Sequence, residues 1–364
     1  AGIRTKVSDS LYSFMLRRQF SPTAAVIIPA YNAARYLSEC LDSLRKQTYS
    51  NFVAIIVDDG SADSTADIVK RIAAEDPRFI LIEKPNGGVS SARNAGLDWV
   101  SENIPSTEFL GFVDADDYVS TDYLKIFVRA LSDRSLDYAV CAFTPFTKFG
   151  PVQRKLAGDN RPLAADDIAA QFFCLYNQSH PIPKTANTSL FLSNRFFRWG
   201  KISGCRFNTQ LKAIEDQDLL IRAMPHLLKG IAIPENLYFY RKRCSSLSNA
   251  AKAKAHDLEG YSLLMADLAQ FSEIIQRGII NNYVSYAQQE TLALLASGAS
   301  TSSEPITAIQ KSCLSLADHP FLSDASKRKL RRITNICTST VLKAKCRNLV
   351  KHLRMLTNRI RYFR

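Results

Sequence analysis

From Thr23 to about Phe143, short runs of β-branched and aromatic residues alternate with longer stretches in which apolar residues return every three or four positions. The short runs predict buried strands at Ala24 to Ile28, Phe52 to Val57, Phe79 to Ile82, Phe109 to Val113 and Tyr138 to Cys141. Between the first two, Leu37, Cys40, Leu41 and Leu44 share one helical face. Ser64-Thr-Ala-Asp67 resembles a capping box opening a second helix. Asn86-Gly87-Gly88 is a turn signal, with two residues free to take positive φ, ahead of a third. Strands and helices in this alternation predict βα units on a mostly parallel sheet.

After about Gly150 the rhythm loosens. Pro151, Pro162, Pro181 and Pro183 interrupt the chain before two short strands expected near Thr188 and Leu237. This stretch reads as a lid or acceptor region built onto the first half. Beyond Ala250 turn signals thin out, and Tyr261, Leu264, Leu268, Phe271 and Ile275 keep helical spacing, so the C-terminal third is expected to be α-helical. The expected organisation is an extension over 1–22, an α/β domain over 23–250 with halves 23–143 and 144–250, and a helical region over 251–364.

Composition narrows the class. With 364 residues, 46% apolar, and only 14 Gly and 14 Pro, the chain is globular rather than disordered. Its eight cysteines, Cys40, Cys141, Cys174, Cys205, Cys244, Cys313, Cys337 and Cys346, show no C-x-x-C pair or zinc-type spacing. They read as reduced thiols of a cytoplasmic protein. No run approaches the roughly 18 apolar residues of a membrane span, and no apolar signal core opens the chain, so a soluble or peripheral protein is expected.

The net charge of +13 is concentrated at one end. Lys327 to Arg364 holds 13 Lys or Arg and no Asp or Glu, leaving 34 residues of each sign in the rest of the chain. Within that tail Leu342, Cys346, Leu349, Leu353, Leu356, Ile360 and Phe363 form one helical stripe among the basic residues. The combination predicts a helix lying on an anionic membrane. Packing of the stripe on Tyr261 to Ile275, or on a second copy as a homodimer, is the plainer alternative. Nucleic acid is not an expected partner.

Candidate chemistry gathers where ligands sit in sheets of this kind, at the carboxyl ends of strands. Asp114-Ala-Asp116-Asp117 ends one strand, and clustered carboxylates repel unless a cation lies among them. An oxygen-only donor set suits Mg2+ or Mn2+ rather than zinc. Asp58-Asp59-Gly60-Ser61 reads either as an Asx turn or as a carboxylate accepting from a nucleobase N–H. Tyr31 in Pro29-Ala-Tyr31-Asn32 could stack on a planar base. The small residues after Asn86 and Gly87, followed by Arg93, suit a ligand bearing phosphates or simply start a helix. Glu215-Asp216-Gln217-Asp218 offers carboxylates for general base work, or N-terminal helix charge favoured by the macrodipole.

Val26-Ile-Ile-Pro-Ala-Tyr-Asn32, Leu41-Asp-Ser-Leu44, Val57-Asp-Asp-Gly-Ser61, Asn86-Gly-Gly-Val-Ser90 with Ala92-Arg-Asn94, and Phe112-Val-Asp-Ala-Asp-Asp117 stand in an order and spacing that resembles the family 2 glycosyltransferases. Ile214-Glu-Asp216 and Tyr240-Arg-Lys-Arg243 continue the resemblance to about Asn249. It implies a GT-A fold, a Rossmann-like mixed sheet flanked by helices. It also implies sugar transfer from a nucleotide donor, most often a UDP-sugar, to a glycan or glycolipid acceptor of a bacterial surface polysaccharide such as lipopolysaccharide or capsule. Carried over residue by residue, it gives Pro29, Tyr31, Asn32, Asp58 and Asp59 to the base side. Asn86, Gly87, Arg93 and Asn94 go to the donor pocket. Asp116, with Asp114 and Asp117, goes to a divalent metal, Mn2+ or Mg2+, and Arg241, Arg243 and Ser246 to the departing diphosphate. Asp216, in preference to Glu215, is implied as the base of an inverting reaction. With the tail, this places the protein on the inner face of the cytoplasmic membrane.

Two other readings compete. A nucleotidylyltransferase would carry a glycine-rich basic loop after the first strand, where this chain has Pro29 to Asn32. A non-catalytic scaffold on the same fold would have no use for Asp59, Asp116 and Asp216 together.

Overall fold

A computed structural model describes residues 21–132, 135–147, 150–151, 162–164, 192–242 and 251–334. They fall into two compact units, one of residues up to 244 and one from 245 onward.

The first unit is built on one sheet. Strands β1 (Ala24–Ala30), β2 (Phe52–Asp58), β3 (Phe79–Glu83) and β4 (Phe109–Phe112) are parallel in the order β3-β2-β1-β4. β1 and β2 are buried along almost their whole length, as expected of strands covered on both faces. Ala24, Val26 and Ile28 share a cluster with Leu37, Cys40, Leu41 and Leu44 of helix α1 (Ala34–Arg45). Ile27 points the other way, because alternate side chains leave opposite faces. There it meets helix α3 (Val89–Asn103), where a Cβ on Gly96 would lie 2.7 Å from Ile27 Cγ2. Helix α2 (Thr65–Glu75) joins β2 to β3.

The predicted capping box does not form. Ser64 makes no side-chain capping bond. Instead Thr65 Oγ1 accepts from Ala33 N at 2.9 Å and Asp63 Oδ2 accepts from Ala34 N at 3.1 Å. The polar cluster ahead of α2 is thereby spent on fixing the start of α1.

Beyond β4 the sheet turns mixed, which the βα rhythm did not foretell. After β5 (Tyr118–Val119) and α4 (Tyr123–Leu131) comes β6 (Tyr138–Thr147), longer than expected. Two short strands follow, β7 (Gly150–Pro151) against β6 and β8 (Pro162–Ala164) at the far edge. Strand β9 (Arg195–Arg198) runs antiparallel between β4 and β6. Gly111 on β4 pairs with Phe196, and a Cβ there would fall 2.2 Å from the Phe196 ring. The strand expected near Thr188 lies outside the described residues. The one expected near Leu237 is the middle of a 13-residue strand, β10 (Lys229–Arg241), parallel to β6 and antiparallel to β5. Its register slips between Ile233 and Tyr238, where Pro234 has no N–H to give the ladder. Between β9 and β10 stand α5 (Trp199–Ile202) and α6 (Glu215–Ala223).

The second unit is helical in its described part, with α7 (Ala251–Ala266), α8 (Glu273–Ala296), α9 (Glu304–Leu314) and α10 (Asp324–Thr334). The run from Tyr261 to Ile275 is not one helix, because a 3-10 turn at Leu268–Gln270 and an extended Phe271 separate α7 from α8. Asn281, buried on α8, accepts from Ser323 N and donates to Phe321 O, which fixes the approach to α10. No helix among the described residues is long and apolar enough to cross a membrane. Residues 335–364, which hold the predicted membrane stripe, lie outside the described residues.

Candidate active site

The carboxyl ends of β1, β2, β3 and β4 bring four loops together. Asp59 follows β2, buried, and its Oδ1 accepts from Lys84 Nζ at 2.5 Å and Gly87 N at 3.0 Å, while Oδ2 accepts from Gly88 N at 2.7 Å. The loop after β3 is thus organised around one carboxylate. Gly60 makes the approach possible: its φ is +75, and a Cβ would lie 2.8 Å from Asn86 N. Asp58 closes the turn by accepting from Ser61 N at 3.1 Å. Asn32, with φ of 47, ties β1 to the same turn through Ser61 Oγ and Ala62 N. Beside it Tyr31 is 56% exposed, a large aromatic face left to solvent at the rim of these loops.

After β4, the acidic loop divides its carboxylates. Asp117 is buried, with Oδ2 accepting from Tyr238 OH at 2.6 Å and Oδ1 from Arg241 N at 2.7 Å. Burial, then the neighbouring Asp114 and Asp116, push its carboxyl well above the ordinary range. The Tyr238 hydroxyl also accepts from Asp114 N at 3.2 Å, so one side chain on β10 holds both ends of the loop. The register slip in β10 precedes Tyr238, as bulges often re-aim a side chain near a site. Arg241 donates from Nε to Asp116 O at 2.7 Å, pairs with Glu39, and stacks against Tyr36 and Phe146. Asp116 is half-buried.

Arg93, on α3, is the hub. Its side chain is 4% exposed. Nη2 donates to Asp114 Oδ1 at 3.2 Å, and Nη1 to Glu215 Oε1 at 3.0 Å and Asp216 Oδ1 at 2.6 Å. The guanidinium lies 5.2 Å from the centre of the Phe207 ring. Asn94, next along α3, clamps Phe207 by accepting from its N–H at 2.7 Å and donating to its carbonyl at 2.9 Å. The Asp216 carboxyl is pushed up to about 7, first by burial and then by Glu215 and Asp114, with Arg93 pulling against them. Among the described residues its second oxygen, Oδ2, has only a long contact with Leu192 N at 3.4 Å. Asp218, in the same helical turn, is paired with Arg222. The residue before Glu215, Ile214, has φ of 56, a left-handed conformation that is costly for a β-branched side chain.

A family model described as Glycosyl transferase family 2 matches residues 25–207. The chain belongs to this family. Among curated relatives, the glycosyltransferase is 33% identical to GlyA of Streptococcus pneumoniae over 229 residues, which is 61% of this chain and 31% of GlyA. It is 32% identical to the chondroitin synthase of Pasteurella multocida over 131 residues, 36% of this chain and 13% of that protein. The chain therefore spans less than a third of either relative's length. Among solved structures, residues 1–349 of S. aureus TarS in complex with UDP-GlcNAc match with a TM-score of 0.60 at 19% identity, covering 86% of this chain and 90% of that one. The likeness identifies the fold of the glycosyltransferase as GT-A.

Most residues expected at the glycosyltransferase site stand at this edge: Pro29, Tyr31, Asn32, Asp58, Asp59, Asn86, Gly87, Arg93, Asn94, Asp114, Asp116, Asp117, Glu215, Asp216 and Arg241. Arg243 and Ser246 lie outside the described residues. The phosphate-facing alternative for Arg93 does not match its surroundings, since its fork is turned to three carboxylates. Lys84, Tyr238 and Phe207 were missed. A lysine directly after a strand that ends beside an Asp-Asp pair was the available signal for Lys84, whereas nothing local marked the other two.

Proposed function

We propose that this glycosyltransferase inverts the anomeric centre of a UDP-sugar as it extends a bacterial surface glycan. The observation that carries the reading is the meeting of Asp114 and Asp216 on one guanidinium, through bonds of 3.2 and 2.6 Å. A donor-side acid and a carboxyl poised near neutral pH within one network are what in-line transfer needs. The Asp216 carboxylate takes the acceptor O–H proton while that oxygen bonds to the sugar's anomeric carbon. The bond from that carbon to the diphosphate breaks, and its electron pair leaves on the phosphate oxygen.

On the donor side, Tyr31 offers a face for the base, and Asp59 holds the Gly87 and Gly88 amides in the loop beside it. The acidic loop suits a hard divalent cation by its oxygen donors. Among the described residues no three His, Cys, Asp or Glu side chains are grouped to hold a metal on their own. That fits a site with one or two protein carboxylates completed by substrate phosphates and water. Asp116 and Asp114 would hold the ion, which when bound neutralises charge on the diphosphate. Arg241, anchored on the Asp116 carbonyl, adds a fixed positive charge beside the same loop.

The polymer reading draws on the chondroitin synthase relative. The membrane reading draws on the basic C-terminal segment, whose described part exposes Lys327, Arg328, Arg331 and Arg332 on α10.

Calorimetric titration with UDP, GDP and CMP, each with and without Mn2+, tests the donor reading. UDP-selective, metal-dependent binding is the expected result. Preference for another nucleotide, or metal-independent binding, would overturn it.

A further inference from the structure

The Arg93 cluster has an unequal charge balance. One guanidinium faces three carboxylates, Asp114 from the loop after β4 and Glu215 and Asp216 from the first turn of α6, and it is nearly inaccessible to water. A solvated ion pair would be worth little. A buried fork bonded to three carboxylate groups at once fixes their geometry, because its planar N–H groups point in set directions. Its own position is set twice, by the turn of α3 that carries it and by the Phe207 ring that Asn94 clamps beneath it. The bond to Asp216 uses Oδ1, and among the described residues Oδ2 has the long 3.4 Å contact with Leu192 N alone.

We propose that Arg93 is a positioning residue that engages Asp216 through Oδ1 so that Oδ2 is the oxygen presented to the acceptor hydroxyl, and that ties this carboxylate to the donor loop through Asp114. The inference rests on the reading of Asp216 as the base. It assigns Arg93 no contact with donor or acceptor. Any shift of the Asp114 loop on donor binding is passed through the fork to Asp216, so the base is held in register with the leaving group by the protein itself.

Among the described residues the charged groups facing Asp216 are Arg93 from α3, Asp114 from the β4 loop and Glu215 from its own helix, with Asp218 taken up by Arg222. Removing Arg93 leaves three acids together, and the Asp216 midpoint must climb. The test uses the full chain with 13C-labelled aspartate carboxyls, the Asp216→Asn variant identifying the resonance. Wild type should titrate near pH 7. Arg93→Gln should raise the midpoint by about 1–3 pH units, the usual effect of a neighbouring guanidinium. Arg93→Lys, which keeps the charge but reaches fewer oxygens, should raise it less. Glu215→Gln should lower it.

A global structural role would change melting without moving this one resonance. An unmoved midpoint in folded Arg93→Gln, or in folded Arg93→Lys should the first variant not fold, overturns the proposal. The base reading fails separately, if Asp216→Asn releases UDP from a panel of UDP-sugars at the wild-type rate.

Discussion

Tyr238 and Asp117 share a 2.6 Å hydrogen bond beneath the acidic loop, and the same hydroxyl receives the Asp114 amide. Tyr238→Phe removes a donor from a buried carboxyl and an acceptor from a backbone N–H in one step. A stability loss of about 1–3 kcal/mol is expected, the cost of buried polar groups left unsatisfied. Urea unfolding measures it. Donor turnover should fall further than stability does, since the loop that carries Asp114 and Asp116 loses its anchor.

Asp59 and Asp58 are neighbours with unequal work. Asp59→Ala frees the Gly87 and Gly88 amides and leaves Lys84 buried without its carboxylate, so UDP affinity should fall by about tenfold or more. Asp58→Ala loses one turn bond to Ser61 N and should cost less. Calorimetry on both variants checks the order; equal losses would show that the loop does not depend on Asp59.

The raised Asp216 carboxyl predicts how stability varies with pH. The folded protein keeps this proton to about pH 7, whereas an unfolded chain releases it near pH 4. Its contribution is therefore full below about pH 4 and is lost as pH rises through 7. Asn has no proton to lose, so Asp216→Asn should be about 2–4 kcal/mol more stable than wild type at pH 8, with little gain at pH 4. Thermal melts at both pH values decide it. The same variant should lose transferase activity.

Two glycines should respond with opposite signs to one added methyl. Gly111→Ala drives a Cβ into the Phe196 ring at 2.2 Å, and overpacking of this kind costs about 1–3 kcal/mol. Gly200, in α5, has nothing within 4 Å of an added Cβ, and Ala there should gain up to about 1 kcal/mol. Paired unfolding curves check both.

Reversal of Lys327, Arg328, Arg331 and Arg332 to Glu should weaken sedimentation with phosphatidylglycerol vesicles by about tenfold or more, given roughly 1 kcal/mol for each basic residue near such a surface. Neutral vesicles serve as the control. Equal sedimentation of both forms with anionic vesicles would sink the membrane reading.

The strands from Ala24 to Phe112 were legible because each reads as an apolar run, buried on both faces in β1, β2 and β4 and partly exposed at Leu81 and Glu83 in the edge strand β3. Arg195–Arg198 was not. A four-residue strand flanked by arginines has no such run, and Arg195 donates to Tyr138 OH at 2.7 Å, a partner on another strand that no local pattern marks. The motifs at the carboxyl ends were legible for the same reason as the strands, since acids stand out where an apolar run stops. The Arg93 network was not, because its partners lie 21 to 123 residues away and no local pattern encodes which acids a buried arginine will meet.

Ile214 carries a consequence for selection. Its left-handed backbone, just ahead of Glu215 and Asp216, is a conformation that Gly or Asn adopts at much lower cost. A library screened only for heat resistance would collect Ile214→Gly and Ile214→Asn. One screened for product would keep isoleucine if its buried side chain is what holds the start of α6 in place. The two screens would diverge at this position, and the divergence would measure how much thermal endurance the enzyme gives up to keep one carboxylate aimed.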